Sequence, residues 1–129
     1  MKPSEYRRMY EAEAEQWWYA GQRAIATALL APGLRGLGPE RPRVLDAGCG
    51  VGLLQAPLRR VLPKASYTGI EVSDYLCRKY GWVQASLEDY RSDRAYDLVV
   101  CYDVLQYLDD RAAARALANL PRLCHGLLY

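Results

Sequence analysis

The sequence predicts an α/β fold built on a doubly wound parallel sheet, and two observations predict it. Beyond residue 42, short apolar runs alternate with helical segments along the chain. Strands separated by helices are joined by right-handed crossovers, which produce parallel pairing with helices on both faces. One of these runs also passes into a helix through a turn with glycines at alternate positions, 48, 50 and 52. Such a turn lets the backbone double back tightly at the carboxyl end of a strand and lets a ligand approach it without a Cβ in the way.

The elements follow in order. Residues 4–30 read as one helix, because Tyr6, Met9, Tyr10, Trp17, Ala20, Ala24, Ile25, Ala28 and Leu29 recur mostly at three- and four-residue steps. Ser4 is its expected cap, with Glu5 in the first turn. Gly21 weakens its middle and leaves two shorter helices as the alternative. The stretch from Ala31 to Pro42, holding three prolines and three glycines, reads as a connector. Then come a strand at 43–48, a helix at 53–62, a strand at 66–72 and a short helix at 74–80. A strand at 82–85, a strand at 96–102, an Ala-rich helix at 111–120 and a last strand starting at Gly126 complete the pattern. The expected organisation is one domain over 1–129: a helical segment (1–30), a connector (31–42) and a sheet core (43–129).

Composition narrows the function. The chain has 129 residues, 51% hydrophobic and 25% charged, with 17 Lys+Arg against 15 Asp+Glu. That is globular composition, and a net +2 gives no electrostatic basis for nucleic-acid binding. No apolar run approaches the roughly 20 residues that span a bilayer, and no secretory signal opens the chain. Cys49, Cys77, Cys101 and Cys124 form no CxxC pair, and His125 is the single histidine, so no metal site is expected. Reduced thiols and the lack of a signal place the expected location in the cytoplasm. Eleven Tyr and three Trp stand against no Phe, so tyrosine must serve the core as well as the surface.

The most informative segment is Val44-Leu45-Asp46-Ala47-Gly48-Cys49-Gly50-Val51-Gly52. Nineteen residues after Gly52, at the end of the next strand, stands Glu71, placed to accept hydrogen bonds from ribose hydroxyls. A dinucleotide fingerprint counted from Gly48 and Gly50 would need glycine at Leu53, and no Gly-Lys-Ser/Thr follows for a P-loop. Asp46, just before the turn, would repel a pyrophosphate and suits an ammonium-bearing ligand. A phosphate-type dinucleotide domain is therefore disfavoured.

VLDAGCGVG resembles motif I of the class I S-adenosylmethionine-dependent methyltransferases, and the resemblance extends over roughly residues 40–129. GIEVS (69–73) resembles their acidic second motif, QASLEDY (84–90) the segment beside the adenine, YDLVVCYDVLQYLDD (96–110) the fourth-strand motif and LPRLCHGLLY (120–129) the entry to strand five. The resemblance implies a Rossmann-like sheet of order 3-2-1-4-5, here with an N-terminal helix and without strands six and seven. It implies S-adenosylmethionine as cofactor, S-adenosylhomocysteine as product and a small-molecule acceptor. Asp46 would lie near the methionine ammonium, and the backbone of Ala47, Gly48, Cys49, Gly50 and Gly52 along the methionyl and ribose portion. Glu71 would hold the ribose, Val72 would pack on the adenine, Ser86 and Leu87 would flank its other side, and the Cys101 carbonyl would face the ammonium.

The chain departs from the family at Ser86, where many relatives carry Asp, and at Gln106-Tyr107, where a His is frequent. Pro57 also falls inside the expected third helix, at a cost of about 3 kcal/mol in a helix interior unless the helix starts late or kinks. Asp103 is the candidate catalytic carboxylate; it either orients a nucleophile or caps the following helix. His125 reads as a turn residue at the amino edge of the sheet, away from the edge where ligands bind. Tyr6, Tyr10, Trp17 and Trp18 either pack an aromatic stripe on the sheet or form a lid whose ring faces attract a sulfonium. Two functions share these features: a methyltransferase, or a non-catalytic binding module that needs a partner chain. Strand five, expected as an unpaired edge, is the surface for self-association or for a partner.

Overall fold

A computed structural model of the chain describes residues 2–129; Met1, at the start of the expected helical segment, lies outside the described residues. Its sheet has five parallel strands, β1 (Arg43–Ala47), β2 (Ser66–Glu71), β3 (Val83–Gln84), β4 (Tyr96–Val100) and β5 (Cys124–Leu128), in the order β3-β2-β1-β4-β5. Helices α1 (Pro3–Glu15), α2 (Trp17–Arg35), α3 (Gln55–Val61), α4 (Asp74–Tyr80) and α5 (Asp110–Leu123) flank it, with a 3-10 turn at Leu105–Tyr107. The topology is the Rossmann-like order that the resemblance implied.

Alternation along the central strands sorts the core into two layers. Val44, Leu98 and Val100 face α2 and α3, where they meet Leu30, Leu34, Leu54 and Leu58. Leu45, Ala47, Ile70 and Val99 face the other side, against Ala116, Leu120 and Leu123 of α5. Central strands buried on both faces carry continuous apolar runs, which is why VLDA and YDLVV read so clearly.

Several boundaries differ from the sequence reading. The N-terminal helix is two helices, broken at Gln16, whose backbone is extended (φ −75°, ψ 132°), while Gly21 sits inside α2. Ser4 does not cap α1, which begins at Pro3; the Glu5 carboxylate instead accepts from the Lys2 amide at 2.7 Å. Helix α2 runs through Pro32 to Arg35, five residues into the expected connector. Burial of Ala26, Leu30 and Leu34 on one helical face outweighs the amide bond that Pro32 removes. Pro57 carries no interior cost, because α3 starts at Gln55 and its first-turn amides lack helical partners in any case. The strands stop one or two residues earlier than expected, at Ala47, Glu71 and Val100, where the chain leaves the ladder to build the loops at the carboxyl edge.

His125 is a strand residue, the second of β5, rather than part of a turn. Its Nε2 lies 2.6 Å from Asp97 Oδ1, and Asp97 Oδ2 accepts the Arg43 amide at 2.8 Å. This buried carboxylate ties β1, β4 and β5 together at the amino edge, opposite the glycine turn. Among the described residues no helix is long and apolar enough to cross a membrane, and no group of three or more His, Cys, Asp or Glu is placed to hold a metal ion.

Candidate functional site

The carboxyl edge of β1 and β2 opens into a cavity of about 410 Å³, bounded by the glycine turn, the loop after β4, and helices α1 and α2. Its walls carry five carboxyl groups, those of Glu13, Asp46, Glu71, Glu88 and Asp103, against one guanidinium, that of Arg23. The cavity favours a cation over an anion.

The glycine turn is built by packing as much as by dihedral freedom. Gly48, Gly50 and Gly52 all have positive φ (76°, 54° and 80°), a region costly for residues with a Cβ. A Cβ at Gly48 would stand 2.7 Å from Val104 Cγ2, and one at Gly52 2.7 Å from Trp82 Cζ2. The sequence suggested that glycine makes room for a ligand. At 48 and 52 it makes room for the protein's own side chains, and only at Gly50 is the added position open. The Gly48 and Cys49 amides both donate to the Ile70 carbonyl, at 2.9 and 3.0 Å, so β2 holds the start of the turn.

Glu71 braces the same turn. Its Oε2 accepts the Gly50 amide at 3.0 Å, and its Oε1 accepts the amides of Val72 and Ser73 at 2.9 and 3.1 Å. A carboxylate has about four acceptor positions, so one, on Oε2, is left for a ligand hydroxyl. Asp46 is 4% exposed, and its Oδ2 has no hydrogen-bond partner among the described residues. Burial, and then the charge of Glu71, push its carboxyl up to about 7. A buried carboxyl without a partner is destabilising, and a cationic ligand is what would relieve it.

The structure brings Asp46, Gly48, Cys49, Gly50, Glu71, Val72 and Leu87 to the cavity wall, with Asp103 and Tyr6. Ala47 is fully buried behind the wall, and Gly52 is covered by Trp82. Ser86 turns away from the cavity, its hydroxyl bonded to the side chain and amide of Asp89; Ala85 and Glu88 line the wall there. Cys101 also lies off the wall, its amide donating to the Tyr129 carbonyl at 2.8 Å, and burial followed by the Asp46 charge lifts its thiol to about 11. Asp103 does not cap a helix. It has a positive φ of 60° and accepts a hydrogen bond from the Gln106 amide group.

The aromatic residues divide. Tyr6 reaches the cavity and stacks on Tyr75 of α4, with centroids 6.0 Å apart. Tyr10 lines a neighbouring groove between α1 and α4 instead, while Trp17 and Trp18 are 80% and 55% exposed and line neither. The wall that α1 and α2 contribute consists of Tyr6, Met9, Glu13, Tyr19, Gln22 and Arg23. Arg23 is anchored by its Nη1 donating to the Glu13 carbonyl at 2.7 Å. Burial raises the Glu13 carboxyl, Asp103 adds to the rise, and Arg23 opposes it. Sequence reading missed Glu13 and Arg23 because their spacing matters only once α1 folds back along α2. It missed Trp82 because an aromatic at a strand start is ordinary core.

A family profile described as methyltransferase domain matches residues 10–125. The ubiquinone biosynthesis O-methyltransferase of Rickettsia prowazekii is 31% identical over 75 residues, which cover 51% of this chain and 30% of that protein. Among solved structures, the sugar N-methyltransferase KedS8 from Streptoalloteichus superposes with a TM-score of 0.69 at 25% identity, covering 95% of this chain and 51% of that one. The N-methyltransferase NodS from Bradyrhizobium japonicum, in complex with S-adenosyl-L-homocysteine, superposes with a TM-score of 0.69. At 21% identity, over 90% of this chain and 62% of that one, the latter shows a shared fold. The chain thus spans under a third of this curated relative and from half to three-fifths of these solved structures.

Proposed function

The chain belongs to the methyltransferase domain family, and from that premise we propose that it binds S-adenosylmethionine and transfers its methyl group to a nucleophile on a small molecule. The observation that carries this reading is the buried Asp46 carboxyl, whose Oδ2 has no partner among the described residues, in a cavity with five acidic groups and one basic one. Such a wall repels the phosphates of a dinucleotide and accepts a ligand that bears a sulfonium and an ammonium.

Asp46 takes the ammonium, and the free position on Glu71 Oε2 takes one ribose hydroxyl. Val72 and Leu87 enclose the adenine. The bound sulfonium supplies an electrophilic methyl carbon. What the protein adds is alignment of the acceptor with that carbon and exclusion of water, which can contribute roughly 7–11 kcal/mol of the barrier. Tyr6, Met9 and Tyr19 close the side where an acceptor enters. Glu13 and Asp103 stand there as the groups able to orient a hydroxyl or amine and receive its proton. The elevated Glu13 carboxyl suits it to accept a proton nearer neutrality than an ordinary carboxylate does.

Calorimetric titration with S-adenosylmethionine, S-adenosylhomocysteine and NAD tests the binding part: the first two bind and NAD does not. Glu71→Gln keeps an acceptor for Val72 and Ser73 but removes the charge, and is expected to weaken cofactor binding by about 1.5–3 kcal/mol. Unchanged affinity would take Glu71 out of the site. A labelled-methyl transfer assay against amine and phenol acceptors tests turnover.

A further inference from the structure

We propose that Trp82 is a positioning residue of the cofactor site, one that fixes the glycine turn from behind through the Gly50 carbonyl. The inference rests on the cofactor reading above. The geometry is a relay of three residues from three segments. Glu71, at the end of β2, accepts the Gly50 amide at 3.0 Å. Trp82, between α4 and β3, donates its indole Nε1–H to the Gly50 carbonyl, also at 3.0 Å. The two peptide groups that flank Gly50 are each held by a side chain, and between them lies the position in the turn where a Cβ would meet nothing.

The indole is seated too closely to be incidental filling. Its Cζ2 would be 2.7 Å from a Cβ at Gly52, and its Cε3 2.8 Å from one at Gly69, where Cys49 Sγ is equally close, so the ring leaves no room for a Cβ at either glycine. Tyr80 stacks against it at 5.8 Å between centroids, with the planes 26° apart. Trp82 does not line the cavity, yet it touches the reverse side of the turn that does. A ribose hydroxyl bound to Glu71 Oε2 would share that oxygen with the Gly50 amide and shift the balance of the relay. The indole N–H is its far end. A turn released from Trp82 can rotate the Gly50 carbonyl and misplace the Gly48–Gly50 backbone beneath the ligand.

The test uses Trp17→Phe/Trp18→Phe protein, in which Trp82 is the sole indole, and the Trp82→Phe variant of the full chain. S-adenosylhomocysteine is the probe, followed by calorimetry and by fluorescence excited at the red edge of indole absorption. Trp82 emission is expected to change saturably with the calorimetric midpoint, because indole emission responds to hydrogen bonding at its N–H. Trp82→Phe keeps an aromatic ring in the slot but loses the donor, and is expected to lower affinity about tenfold at temperatures where its circular dichroism matches wild type. Equal affinity in Trp82→Phe would overturn the proposal and leave the indole as packing alone. So would flat Trp82 emission through saturation, a measurement that does not require the Phe variant to fold. Failure of the wild-type chain to bind S-adenosylhomocysteine would instead overturn the cofactor reading, and the positioning role with it.

Discussion

Asp46 is the last-but-one residue of β1, and its Oδ2 has no partner among the described residues, so its charge is a cost that the unliganded protein carries. Its carboxyl is raised from an ordinary 3.8 to about 7, by burial first and Glu71 second. A raised folded value means that the native state holds the proton more tightly than the unfolded state. Stability from this group is therefore full below about pH 4 and falls as pH rises toward 7. Asp46→Asn removes the titration. The unliganded variant is expected to be more stable than wild type above pH 7 by about 1–3 kcal/mol, with the difference vanishing near pH 4. The same variant should bind S-adenosylmethionine more weakly. Denaturant unfolding at several pH values, beside calorimetry, checks both halves. A stability difference that does not depend on pH would show that Asp46 is not the titrating group.

The glycine turn shows how an element is specified jointly by dihedrals and neighbours. Gly52→Ala must hold φ near 80° and also press a methyl group onto the Trp82 ring. Both penalties act together, and the expected loss is about 2–4 kcal/mol in chemical denaturation. Gly50→Ala faces only the dihedral penalty, since no atom lies within 4 Å of the added carbon, and should lose about 1 kcal/mol. Equal losses at the two positions would mean that the indole yields easily. Helix α1 lies at the opposite extreme: none of its residues is buried, and it is fastened through its packing on α2 and the Tyr6–Tyr75 stack. Elements with so little buried surface open at low free energy, so α1 amides should exchange faster than those of β1 and β4.

At the scale of the molecule the sheet has two functional edges. The carboxyl edge gathers acidic side chains around a cavity, and the amino edge is stitched by the Asp97 carboxylate between the Arg43 amide and the His125 ring. Burial alone would raise the Asp97 carboxyl. The Arg43 amide, His125 and the Arg43 charge together hold it below the ordinary 3.8. A depressed folded value stabilises the protein above the unfolded value, and that contribution is lost as pH falls below about 4. Asp97→Asn should therefore cost stability at pH 7, with the difference shrinking as pH falls below about 4, the reverse of Asp46→Asn. His125→Ala leaves the Arg43 bond in place, and a smaller loss of the same sign is expected. Thermal unfolding across pH 3–8 distinguishes the three proteins.

Much of this protein is determined by local pattern. The parallel pairing of strands, the glycine turn, Glu71 at the end of β2 and Asp46 ahead of the turn are legible because each depends on sequence-near chemistry: alternation, turn dihedrals, and a carboxylate at fixed separation from a glycine loop; the order of the strands comes from the family resemblance. The tertiary structure decided what lies beyond that reach. The break at Gln16 and the continuation of α2 through Pro32 depend on which face of α2 is buried, and no propensity contains that information. Trp17 and Trp18 read either as part of a stripe packed on the sheet or as part of a lid, yet the fold turns them to solvent and sets Glu13 and Arg23 at the cavity. At Gly52 and Gly69 the room for a side chain is taken up by an indole brought from 30 and 13 residues further along the chain, joined at Gly69 by the Cys49 thiol. Contacts between segments distant in sequence follow from the packed sheet, and only after it has formed does the spacing that matters at the site exist.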